Sequence, residues 1–321
     1  MDSLLSELTV DRISAHLRGP DSTAFQAVHP VQIEHRVEIA KRFFGTGPGC
    51  GAVDVHSKSL LEVGCGQGDM SIVLAEMVGE GATVVGLYPA PLTYGAPMNL
   101  GQAQAILKSS AVGSRLHFVR GDVPSYFSKK ADGTPTPSFE AAVVVHSLFY
   151  FPSEAALFES LTILRKANPP IKHLCLAEWA LTTSNPTAIP HLLAIFAQSF
   201  LPKADANVQT IFSPVQLKKL AERAGWKLKS ESVIVNPGIQ DGRWEVDMTL
   251  ALQREREEEL SKAAAAGSIS SDGNASQEAD THRNLTTFST LCDSIRSHLP
   301  DSGSTKGVTC VDVWTAVFEA A

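Results

Sequence analysis

From about residue 59 to residue 235, short apolar runs alternate with longer segments whose apolar residues recur every three or four positions. "SLLEVG" is a run of the first kind and reads as a strand; "DMSIVLAEMVG" is of the second and sets Ile72, Val73, Met77 and Val78 on one helix face. The alternation continues through "ATVVGLY", "LGQAQAILKSS", "RLHFVRGD", "AAVVVHS", "SEAALFESLTILRKA", "HLCLAEWAL", "SPVQLKKLAERAGW" and "KLKSESVIV". Helical spacing marks "LGQ…", "SEA…" and "SPV…", and the others read as strands. The strands are almost continuously apolar, which suits a sheet buried on both faces better than a half-solvated antiparallel one. Strands alternating with helices therefore predict an α/β fold with a mainly parallel sheet.

Two regions depart from this pattern. In "VQIEHRVEIAKRFF", Ile33, Val37, Ala40 and Phe44 share a helical stripe, so residues 1–58 read as an N-terminal helical cap on the sheet domain. Core packing is the simpler reading of that stripe, ahead of substrate contact. After the core, 59–235, the stretch from Gln253 to Asn284 begins as a charged helix and decays into Ser, Gly, Asn and Asp. Such a composition buries too little surface to order itself. A helical piece follows around Phe288 to Leu299, and "GVTCVDVWTAVFEA" reads as a last strand returning to the sheet, so that 236–306 form an insertion and 307–321 the closing strand.

Composition adds exclusions rather than an activity. A chain of 321 residues, 44% hydrophobic and 19% charged, can bury a substantial core. A net charge of −7 gives no reason to expect nucleic acid or an anionic membrane as partner. No apolar run reaches the roughly 18 residues of a membrane span, and "MDSLLSELTV" is too acidic for a secretory leader, so a cytoplasmic location is expected. Five cysteines without CxxC spacing read as reduced and structural, and no metal site is expected.

The chemistry concentrates in "LLEVGCGQGD", where Gly64, Gly66 and Gly68 fall two residues apart between a strand and a helix. Glycines there let a ligand approach the backbone with no Cβ between them. Asp69 stands where a dinucleotide fingerprint would have its third glycine, and no GK[ST] follows, so neither a NAD/FAD site nor a phosphate-cradling loop is indicated. The motif resembles the first motif of class I S-adenosylmethionine-dependent methyltransferases. The likeness extends through "GQAQAILKSS", "RLHFVRGD", "VVVHSLFYFPS", "LAEWAL", "SPVQLKKLAERAGW" and "DGRWEV" to "DVWTAVF", roughly residues 29 to 319, and looks closest to small-molecule methyltransferases of fungal biosynthetic pathways. The resemblance implies a Rossmann-like fold with a seven-stranded, mostly parallel sheet whose last strand is antiparallel, and a largely helical insertion before that strand. It also implies that Glu62, Gly64, Gly66 and Gly68 hold the methionine part of S-adenosylmethionine, with Asp122 and the adjoining Val123 at the adenine. His146 and Glu178, ending the fourth and fifth strands, become candidate catalytic residues. His146 is a possible general base or a packed core histidine, and Glu178 either orients substrate or bonds loop backbone.

Tyr88 departs from that pattern, because relatives carry Asp or Glu there to accept from both ribose hydroxyls. Losing a hydrogen bond to a charged group costs about 1.5–3 kcal/mol, so cofactor binding could be weak or vestigial, unless the phenol itself serves the ribose. Two functions follow. One is methyl transfer from S-adenosylmethionine to a small secondary metabolite. The other is a repurposed methyltransferase fold that carries out non-methylating chemistry, such as a pericyclic cyclisation or isomerisation. The acceptor and the oligomeric state are not legible.

Overall fold

A computed structural model of the chain describes residues 8–17, 29–95, 98–129, 137–201, 208–265 and 275–321. The alternating segments form one seven-stranded sheet. Its strands are β1 (Ser59–Val63), β2 (Val84–Tyr88), β3 (Leu116–Arg120), β4 (Phe139–Val145), β5 (His173–Trp179), β6 (Trp226–Ile234) and β7 (Val313–Ala320). They lie in the order β3-β2-β1-β4-β5-β7-β6, with β7 antiparallel to both its neighbours and the rest parallel. This is the sheet expected from the sequence. The order reverses between β1 and β4, the kind of position at whose carboxyl ends ligands bind in open α/β sheets.

The described residues divide into two compact units. The first contains the sheet and comprises Met1–Ala180, Phe212–Ile234 and Val313–Ala321. Its helices are α1 (Val10–Ser14), α2 (His29–Phe44), α3 (Asp69–Val78), α4 (Leu100–Lys108), α5 (Val123–Lys129), α6 (Glu154–Arg165) and, later in the chain, α8 (Pro214–Arg223). Local chemistry marks their starts: Asn99 and Ser213 each close a capping box with a glutamine three residues on, and Ser153 caps α6. Helix α2 packs on α3 and β7 and buries Ile33, Val37, Ala40 and Phe44, together with the polar Gln32, His35 and Arg36. All five cysteines are free thiols, four of them buried.

The second unit comprises Leu181–Ile211 and Val235–Asp312 and is helical, with α7 (Ile189–Phe200), α9 (Asp241–Ala265) and α10 (Ala275–Ser297). Its core joins Ala194 and Ala197 of α7, Val246 and Leu250 of α9, and Phe288, Cys292 and Ile295 of α10. Three differences from the sequence reading appear here. Residues 181–211 group with the insertion rather than with the sheet core, because α7 presents its small residues to α9 and α10. The closing strand begins at Val313, not at 307. The stretch 253–284 is helical to Ala265 and again from Ala275, since "REREEELSKAAA" consists of strong helix formers that extend a helix already anchored by its packed first turns. The disorder expected between these helices falls on residues 266–274, outside the described residues.

Candidate active site

The glycine loop leaves the carboxyl end of β1 and is tied to its neighbours by backbone bonds. The amides of Gly64 and Cys65 both donate to the Leu87 carbonyl at 2.9 Å, and the Gly121 amide donates to the Tyr88 carbonyl at 2.9 Å. On the other side, the Ser147 hydroxyl donates to the Val63 carbonyl at 2.9 Å. Each glycine of the loop has positive φ, but for different surroundings. A Cβ on Gly64 would lie 2.5 Å from the Ser147 side chain, and one on Gly68 would collide with Leu107. A Cβ on Gly66 would meet nothing within 4 Å. Gly64 and Gly68 thus serve close packing, whereas Gly66 faces open space.

Glu62 lies under this loop on β1. It is 3% exposed, and its carboxylate accepts from the Ser71 hydroxyl at 2.5 Å. Burial pushes its pKa up to about 7, offset in part by the Ser71 hydrogen bond and the Arg36 charge. Arg36, from α2, is itself buried, and its Nη1 has no hydrogen-bond partner among the described residues. The sequence reading did not single out Arg36. The signal available was the polar set Gln32, His35 and Arg36 at i, i+3 and i+4 beside the apolar stripe of one helix.

Tyr88 ends β2 with its ring buried among Cys65 and Leu100, against Ala90 and Phe118. Its hydroxyl has no hydrogen-bond partner among the described residues. Asp122 is exposed after β3, and its Oδ1 accepts from the Ser125 amide at 2.9 Å, capping α5, whose first residue, Val123, is buried. An apolar cavity of about 490 Å³ lies among Thr83, Val85, His117, Val119, Tyr126 and Pro137, and includes none of the residues singled out from the sequence.

His146 and Glu178 come together at the ends of β4 and β5. His146 has φ 48°, in the left-handed region that a branched or bulky residue seldom occupies, and its amide continues the ladder to the Ala177 carbonyl at 2.9 Å. Glu178 is 1% exposed and faces backbone: Oε2 accepts from the amides of Leu148 (2.9 Å) and Phe149 (3.4 Å), and Oε1 from that of Trp179 (3.0 Å). His146 Nδ1 lies 3.5 Å from Glu178 Oε1, and the Trp179 ring packs on His146 with centroids 4.4 Å apart. His146 Nε2 is 2.9 Å from Nε2 of His35. Burial holds His35 well below the ordinary imidazole pKa, and the neighbouring charges of His146 and Arg36 act in the same direction.

No family model matches the chain. Two methyltransferases of Diaporthe leptostromiformis, phomM and phomM′, are each 26% identical to it over 220 residues, covering 57% of this chain and 55% of theirs. The chain therefore spans about half the length of the curated relatives it matches. A crystal structure of a cyclopropane-fatty-acyl-phospholipid synthase-like protein from Lactobacillus casei superposes with a TM-score of 0.71 at 27% identity, covering 97% of this chain and 98% of that one. Strand order, glycine loop and these similarities agree on a methyltransferase-like fold, and the chain is similar to fungal methyltransferases.

Proposed function

We propose that the chain transfers a methyl group from S-adenosylmethionine to a small-molecule acceptor. The observation that carries this reading is the open space before Gly66, in a loop whose flanking glycines are closed in by Ser147 and Leu107. A ligand can meet backbone there without a side chain intervening. The neighbouring groups fit a zwitterionic amino-acid end: Arg36 Nη1 is a buried donor without a partner among the described residues, and Glu62 is a buried acid whose charged form a bound ammonium would favour further. Tyr88, Asp122 and Val123 would meet the nucleoside. When bound, the cofactor supplies an electrophilic methyl group; the protein's task is to bind, align and exclude water. Isothermal titration with S-adenosylmethionine and S-adenosylhomocysteine tests this, micromolar binding of both being expected. If neither binds at millimolar concentration, the proposal fails.

A second reading rests on Tyr88. No acid stands at the end of β2, and an apolar ring occupies that place beside the loop. This departure suits a fold repurposed to hold a substrate in a reactive shape without methyl transfer. Substrate turnover without consumption of the methyl donor would favour it.

A further inference from the structure

We infer that Gln104, on α4, is a positioning residue of the ligand loop: it grips the Gly66 carbonyl and so aims the Gln67 amide at the ligand. The inference rests on the methyl-transfer reading above and adds to it a residue that touches the loop and not the ligand.

The backbone amides from Gly64 to Gly68 divide into two sets. Those of Gly64 and Cys65 donate to the Leu87 carbonyl, and that of Gly68 donates to the Cys65 carbonyl at 2.9 Å. The amides of Gly66 and Gln67 have no hydrogen-bond partner among the described residues. These two donors are left over at the one glycine of the loop whose Cβ position is open. A peptide unit is planar and trans, so the Gly66 carbonyl and the Gln67 N–H point in opposite directions. Whatever fixes the carbonyl fixes the amide.

Gln104 is 6% exposed, and its Nε2 donates to the Gly66 carbonyl at 3.4 Å. The bond is long, but burial spares it the competition of water. The Cys65 thiol also reaches that carbonyl, at 3.9 Å, and a thiol is a weak donor. The Gln67 side chain is tied to the lead-in of the same helix, its Nε2 donating to the Met98 carbonyl at 2.5 Å. Helix α4 is itself well placed to act as a brace. The capping box of Asn99 and Gln102 fixes its start, and Leu100 packs with Tyr88 and Cys65. With its carbonyl turned to α4, the Gly66–Gln67 peptide presents its N–H away from that helix. Glycine at 66 puts no Cβ in the way of peptide rotation, so without Gln104 the amide loses its direction. A donor held in place before binding leaves less freedom to be lost when the ligand arrives.

The test uses the full chain and two substitutions that keep the length of the side chain. Gln104→Glu carries a carboxylic acid that donates to the Gly66 carbonyl while protonated and repels it once ionised, and burial raises its pKa above the ordinary carboxyl range. The ligand is S-adenosylhomocysteine, which lacks the sulfonium charge. By calorimetry the variant should bind it within about twofold of the unaltered protein at pH 5 and at least about tenfold more weakly at pH 8. Glu62, Asp69 and Cys65, the other titratable groups of the loop, are common to both proteins, so the ratio of affinities reports position 104. Gln104→Met cannot donate and should bind about fivefold more weakly at both pH values, with its denaturation midpoint preserved. A ratio that does not change with pH, or full affinity in Gln104→Met, overturns the inference. A second readout needs no ligand. In nitrogen-15 NMR the Gln67 amide resonance should shift between pH 5 and pH 8 by more in Gln104→Glu than in the unaltered protein, and equal shifts overturn the inference. Failure of the unaltered protein to bind either S-adenosylhomocysteine or S-adenosylmethionine would remove the methyl-transfer reading, and the Gln67 resonance would still decide whether Gln104 holds the loop.

Discussion

Glu62 shows how a single buried group couples the site to pH. Its folded pKa of about 7 lies above the ordinary carboxyl value of 4.5. Between those values the folded state holds a proton that the unfolded state has released, so stability falls as pH rises through that window. The shift corresponds to about 3 kcal/mol in order of magnitude. Chemical denaturation at pH 5 and pH 8 should show the loss in the free protein, and Glu62→Gln should flatten the dependence. Tyr88 gives the complementary prediction for binding. If its hydroxyl serves a ligand ribose, Tyr88→Phe should leave the melting temperature within about 2 °C and weaken S-adenosylmethionine about fivefold, the worth of a neutral hydrogen bond near 1 kcal/mol. Unchanged affinity by calorimetry would mean that the hydroxyl does not serve the ribose. Glu62 and Tyr88 were singled out from the glycine motif and the strand after it, and His146 from the family resemblance. His35 and Arg36 were not, because they sit in a helix whose stripe of Ile33, Val37, Ala40 and Phe44 already accounts for it as core packing. Only the contact with His146, 111 positions away, brings His35 to the ends of β4 and β5.

Among the elements, the turn from β1 to α3 separates packing from binding within five residues. Gly64→Ala forces a methyl group against Ser147 in a left-handed backbone, and a loss of about 2–4 kcal/mol is expected, visible as a lowered denaturation midpoint. Gly66→Ala incurs only the backbone strain of φ 52°, roughly 1–2 kcal/mol, but places a methyl group in the open space before the loop. The folded protein should survive this change and lose S-adenosylmethionine binding by tenfold or more in calorimetry. Equal losses of stability in the two variants would remove the distinction on which the cradle rests. The glycine spacing announced a ligand loop, but it could not rank the three glycines. What closes on Gly64 and Gly68 comes from the turn after β4 and from α4, which the loop's own sequence does not mention.

For the molecule as a whole, the division into two units carries a prediction of its own. Phe288 is 2% exposed in the helical unit, and Phe288→Ala should cost about 3–5 kcal/mol there. Hydrogen exchange should accelerate through 181–211 and 235–312 while the sheet keeps its protection; uniform acceleration of both would contradict the division. No helix among the described residues is long and apolar enough to cross a membrane. The sheet, its seven strands and the ligand loop could be read in advance, because strand burial, helical periodicity and glycine's missing Cβ are local properties that leave a period or a spacing in the chain. The helix Ile189–Phe200 was not singled out in that reading, although it buries His191, Ala194, Ile195, Ala197 and Gln198 on one face. Its grouping with α9 and α10, the start of the last strand at Val313, and the meeting of His35, His146 and Glu178 depend on contacts between segments distant in sequence. Such contacts are selected by the packing of whole surfaces, which no short stretch of residues records.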